Sequence, residues 1–187
     1  MASRRRSVPA GAAPLPPRRK WRAILLATLL FVPSYWALLA GLVSLASDGE
    51  AAPNAGALLA LGLALIPFVF IVLAFLSEHP RAPGAVLKAM GLSLLVGIPV
   101  SALAGDAVTG LVAGIGAGGT SALRKDDPDD WKPRALAVAL AAVYVFVTLR
   151  TVSEAGILLG PVLPFTSLGV ADHLAQRRRE RSESRVT

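Results

Sequence analysis

The chain has 187 residues, 54% of them hydrophobic and only 17% charged, with a net charge of +7. Soluble domains average about 25% charged residues, so this composition and a mean hydropathy of +0.60 argue against an ordinary water-soluble domain. There is no Cys, which excludes disulfides, thiolate metal sites and cysteine nucleophiles.

Residues 1–22 hold Arg4, Arg5, Arg6, Arg18, Arg19, Lys20 and Arg22 among several prolines, without apolar periodicity. They predict a disordered basic tail on the cytoplasmic side. The first apolar run, 23–46, is long enough to cross about 30 Å of hydrocarbon. Ser44-Leu45-Ala46 has the form of a leader cleavage site. The run before it exceeds the ~7–15 residues of a leader's apolar region, so it is expected to stay as a span.

The next loop holds Asp48 and Glu50 and no basic residue, which predicts an external loop. A second span is read over 55–76, followed by Glu78-His79 and Arg81. The stretch 86–123 is too long for one span and breaks at Gly105-Asp106, giving a third span over 86–104 and a fourth over 107–123. A charged connector follows, with Arg124, Lys125, Lys132 and Arg134 around Asp126, Asp127, Asp129 and Asp130. It reads as solvated, with Trp131 as an interfacial anchor. Its aspartates lack the spacing of a calcium loop and are interrupted by Pro128.

A fifth span is read over 135–149 and a sixth over 156–171, before a basic tail, 174–187. Basic residues concentrate in the tails and in every second loop, Arg150 excepted. The positive-inside rule then gives an all-α, polytopic transmembrane helix bundle of about six spans with both termini cytoplasmic. A re-entrant fourth segment would put the Arg124–Arg134 loop outside, against that rule. The Arg, Ala, Gly and Pro bias fits a high-GC bacterium, so the expected location is a bacterial cell membrane.

Gly110, Gly114 and Gly118 lie at spacing four, as do Gly156 and Gly160. Small residues at that spacing let helix backbones approach closely in lipid. The fourth span is therefore expected at the centre of the bundle, with a homo-oligomer seam or a pore-lining face as lesser readings. Pro33, Pro67, Pro99, Pro161 and Pro164 interrupt spans, and Gly160-Pro161-Val-Leu-Pro164 would break the sixth. Tyr35, Trp36 and Tyr144 are expected at helix–helix contacts.

Groups able to carry chemistry are few. Glu78-His79 and Asp172-His173 pair an imidazole with a carboxylate, and only by converging would they bind metal. Asp106 reads as a helix N-cap; sunk below the surface it would be the best ion- or proton-binding carboxylate in the chain. Arg18, Arg19, Lys20, Arg22, Arg177, Arg178, Arg179 and Arg181 are expected to contact anionic headgroups. Phosphate-loop, zinc-protease, nucleophile-elbow and dinucleotide motifs are absent. The expectation is a protein with no catalytic residue, metal or cofactor, and without a nucleic-acid partner. It would act through helix contacts as an accessory or scaffold, with the bilayer, a second copy or another membrane protein as partner. The alternative is a small transporter or channel built on the broken helices.

Overall fold

The structure, a computed structural model, describes residues 15–46 and 52–184. Among these residues seven α-helices form in chain order: α1 Pro17–Ala46, α2 Ala52–Leu76, α3 Ala82–Ala104, α4 Ala107–Ala122, α5 Trp131–Thr151, α6 Ser153–Leu159 and α7 Leu163–Glu183. A single 3-10 turn, Pro128–Asp130, leads into α5. No strand occurs among the described residues.

Among the described residues four stretches (α1, α2, α3, and α5 with its leading turn) are long and apolar enough to cross a membrane. The pair α6–α7, bent by 63°, makes a fifth if counted as one broken span. The bend falls where Pro161 and Pro164 each remove a backbone donor. At 16 residues, α4 reaches about 24 Å at 1.5 Å per residue, short of a hydrocarbon core about 30 Å thick. Side chains such as Leu29, Leu95 and Leu103 are 65%, 70% and 88% exposed. Water would penalise that apolar surface; lipid does not. The helices are those of a multi-pass membrane protein.

Helix boundaries depart from the hydropathy reading by a few residues at most ends, and three departures matter here. Helix α1 begins at Pro17, so 17–22 are helical rather than tail; Pro at a first helical turn loses no bond it would have made. Helix α5 begins at Trp131 and runs to Thr151, beyond 135–149 at both ends. Helix α7 continues to Glu183, through most of the stretch read as a tail, because Arg, Gln and Glu are good helix formers even where they are not apolar. The expected disordered stretch 1–14, the loop with Asp48 and Glu50, and residues 185–187 lie outside the described residues.

Successive long segments run antiparallel. Lys20, Ser77, Arg124, Arg134 and Asp172 gather at one end of the bundle. Ala104 and Arg150 meet at the other. Helix α4 is the axis: Val108–Gly110, Val112–Gly116, Gly118, Gly119, Ser121 and Ala122 are all buried. Its Gly110–Gly114–Gly118 face lies on Ala89, Ser93, Gly97 and Ser101 of α3. A Cβ on Gly114 would sit 2.9 Å from the Gly97 Cα and 2.5 Å from the Ser93 carbonyl oxygen, so any side chain there must push the two backbones apart. Helix α4 thus packs closely on α3 along this face. Gly156 lies against Leu149 at the α5–α6 corner, and Gly160 lies under the Tyr35 ring.

Between α1 and α7, Phe31 meets Tyr35 and Phe165 edge-on, each at 5.9 Å between ring centres. The Tyr35 hydroxyl donates to the Ile157 carbonyl at 2.7 Å. This satisfies its buried polar end and ties α1 to the broken segment. Trp36 and Tyr144, expected in similar contacts, are instead 42% and 55% exposed. Adjacent positions on a helix point about 100° apart, so Trp36 turns outward when Tyr35 turns in.

Candidate functional site: an ionic clasp at one end of the bundle

Helix α4 stops at Ala122, leaving the last carbonyls of its final turn without helical partners. Arg134, four residues into α5, holds the two carbonyls that follow them, where the chain leaves the helix. Its Nη1 donates to the Leu123 carbonyl at 2.9 Å and its Nη2 to the Arg124 carbonyl at 2.8 Å. The side chain is fully buried, and Nη2 also pairs with Asp172 of α7. One guanidinium thus ends one helix and fastens a second to a third, which its planar fork of donors suits it to do.

Asp172 carries the connection on. Its other oxygen accepts from the Lys20 ammonium of α1 at 2.8 Å, and Lys20 also donates to Asp126 at 2.5 Å. Asp126 lies 3.8 Å from Arg124, Arg124 lies 3.9 Å from Glu78, and Glu78 pairs with Arg19. Arg134, Asp172, Lys20, Asp126, Arg124, Glu78 and Arg19 therefore form an unbroken line of charges alternating in sign. It runs from a fully buried end to an exposed one and ties α1, α2, α5, α7 and the α4–α5 connector.

A second branch holds the connector itself. Asp130 is buried and accepts from the backbone of Asp126 and Asp127, while Asp127 accepts from the Asp129 amide at 2.9 Å. This reciprocal capping box folds the acidic run into the 3-10 turn. Arg179 of α7 pairs with the outer oxygen of Asp130. Below, Ser77 accepts from the Arg124 amide at 3.1 Å and donates to Ala74. The connector expected to be solvated is thus a folded plug. Its sequence gave only charge density, which does not distinguish solvation from pairing.

Energetically the two ends of the line differ. Breaking a buried pair strands a charge at a cost of about 3–5 kcal/mol. The exposed Arg19–Glu78 pair is worth about 0–1 kcal/mol. Burial raises the Asp126 carboxyl, but the hydrogen bond and charge of Lys20, with Gln176 and Arg124, outweigh it and hold the group below its ordinary range. Burial lowers the Lys125 ammonium, as do the charges of Arg134 and Lys88. His79 is also held low, by burial and then by Lys125, Arg124 and Arg134. The three neighbouring cations add to burial in disfavouring its proton.

The residues singled out in the sequence fall as follows. Glu78 and Asp172 belong to the clasp. His79 Nδ1 accepts from the Arg81 amide at 3.2 Å, and His173 Nδ1 is buried without a hydrogen-bond partner. Among the described residues no three His, Asp or Glu side chains group to hold a metal ion. Asp106 caps α4: its two oxygens accept from the amide and hydroxyl of Thr109 at 2.6 and 2.9 Å. Lys20 and Arg179, expected at headgroups, are engaged by carboxylates instead. Arg18, Arg22, Arg177, Arg178 and Arg181 are exposed, and so is Arg19, on Glu78.

Sequence reasoning placed Arg134 and Asp130 in the connector and missed what they hold together. The available clue was a basic residue one turn into α5, placed to reach the carbonyls where α4 must end. It also missed that Glu78 is the one non-glycine residue with positive φ among those described, at 51°. With the Glu78 amide bonded to Phe75 and the His79 amide to Ala74, it occupies the left-handed position of a Schellman helix end, usually a glycine. The chain matches no family model, and no curated protein or solved structure is significantly similar to it.

Proposed function

We propose that this protein is a non-enzymatic membrane scaffold, crossing a bacterial plasma membrane about six times with both termini cytoplasmic. The observation carrying this reading is the distribution of charge. Buried charges sit at one end, paired and alternating in sign, while the middle of the bundle is close-packed glycine and aromatic contact. Transport proteins usually keep ionisable groups at mid-depth; here the ionic groups fasten helix ends. Counting α4 as a crossing makes six alternating segments, and the clasp falls on the side where basic residues concentrate. Rigidity with little polar interior suits a protein that presents a surface.

Co-purification in mild detergent tests the role: a stoichiometric membrane-protein partner is expected. A reporter fused after Thr187 tests the topology: it should be active only in the cytoplasm, and external activity would sink the six-crossing arrangement. The 63° break between α6 and α7 supports a second reading, a small transporter, since broken helices build midplane sites in that class. A bound ion or solute retained through purification, without a partner protein, would favour it.

A further inference from the structure

Helices α5 and α7 converge at the clasp, where Asp130 pairs with Arg179, and leave between them an open groove of about 1240 Å³. The floor is made of small side chains, Ala137, Ala141, Ala171 and Ala175, and the walls of branched and aromatic ones. Only Lys132 and Arg178 are charged among its lining residues. Both stand at its clasp end, each within two residues of the Asp130–Arg179 pair that fixes the mouth. From Lys132 to Val147 the groove follows α5 for about 22 Å at 1.5 Å per residue. That reaches from headgroup level past the middle of a hydrocarbon core about 30 Å thick.

We infer that this groove holds one anionic phospholipid, its phosphate between Lys132 and Arg178 and an acyl chain along the alanine floor. Charge complementarity selects the occupant: a partner helix would leave two cations facing its apolar surface, whereas a lipid brings the anion and the apolar chain in one molecule. Lys132 also meets Asp129 at 3.0 Å. That pair is exposed and weak, so the ammonium is available to a phosphate. The inference rests on the membrane reading and adds to it a discrete site, distinct from the diffuse attraction of basic tails to an anionic surface.

The test uses the full chain in mild detergent, titrated with dioleoyl phosphatidylglycerol or with dioleoyl phosphatidylcholine. Bound lipid is counted by native mass spectrometry and apparent affinity is read from the melting shift. Wild type should bind one phosphatidylglycerol in preference to phosphatidylcholine. Lys132→Gln with Arg178→Gln should weaken phosphatidylglycerol about 30-fold, at roughly fivefold per basic side chain near an anionic headgroup. Arg177→Gln with Arg181→Gln removes the same charge outside the groove lining and should change affinity less than about threefold. Ala137→Phe, filling the floor, should weaken both lipids. Equal losses in the two double variants would overturn the site in favour of diffuse attraction, and absence of headgroup preference would overturn it too. A dimer dissolved by Ala137→Phe would assign the groove to a second copy. Recovery of the chain in the soluble fraction, seen before any lipid is added, would instead remove the membrane reading itself.

Discussion

The two ends of this bundle use the same residue types for different purposes. At one end Arg134, Asp172, Lys20 and Asp126 are buried and shared among several helices. At the other, Asp106 caps only its own helix, and Arg150 reaches one carbonyl, Ala104, at 2.9 Å while lying 5.2 Å over the Phe146 ring. That contact also accounts for the one basic residue that broke the loop-charge rule: it finishes α3, whose last turn closes on Gly105 at φ 69°. A charge shared between helices is an all-or-none element, whereas one that serves its own helix end is a local increment. Substitutions at the first end should spread through the bundle and those at the second should not.

The largest expected effect is at Arg134. Arg134→Ala leaves Asp172 to share Lys20 with Asp126 and frees the Leu123 and Arg124 carbonyls, and should cost up to about 3–5 kcal/mol, seen as a large fall in melting temperature in detergent. Arg134→Met combined with Asp172→Leu should recover part of that loss, because the two carboxylates no longer compete for one ammonium. A double variant as unstable as the single one would show that carbonyl capping, and not the ion pair, dominates. Next is Gly114→Leu, between the two ends, where separating α3 from α4 should cost about 1–3 kcal/mol by overpacking. Unchanged melting would mean that the two backbones are not in contact.

Asp106→Ala removes an N-cap and should cost about 1 kcal/mol. If it proves as damaging as Arg134→Ala, the contrast between the ends is wrong. The smallest effect is that of pH. Asp126 is held below its usual range and His79 below its own. In both cases the unfolded chain binds protons more readily, so each contributes stability above its unfolded value that is lost on acidification. Melting in detergent should decline modestly below about pH 6.5 and further below about pH 4, the ordinary values for His and Asp. An Asp126→Asn variant should lack the second decline.

What the sequence made legible was whatever hydropathy and small-residue spacing report: the helical segments, the break at Gly105-Asp106, and the central place of α4. The matching stripe on α3, with Ala89, Ser93, Gly97 and Ser101 at spacing four, is equally readable, but two of its members are polar and it does not stand out as a glycine repeat does. The clasp was not legible. Lys20 and Asp172 lie 152 positions apart, and nothing local to either marks the other as its partner. Charge counting assigned Lys20 to a tail because Pro17 and the arginines around it look unstructured. Arg134 went to a loop because Lys132, Pro133 and Arg134 interrupt the apolar run. In both cases long-range pairing overrode a local property, which a single sequence does not reveal.

The shortness of α4 has a consequence for how such a protein is built. A helix in contact with lipid must match the thickness of the bilayer or distort it. Helix α4 is wrapped by α3, α5 and α7, so that constraint does not reach it. The same glycines that free it from the length rule make it a poor candidate to enter a bilayer by itself. Joined to α3 by the two-residue turn at Gly105-Asp106 and packed on it face to face, it is suited to enter as the second limb of a hairpin. The helices that follow in the chain, α5 and α7, supply the rest of its cover, so that turn holds the part of the packing that needs nothing made later.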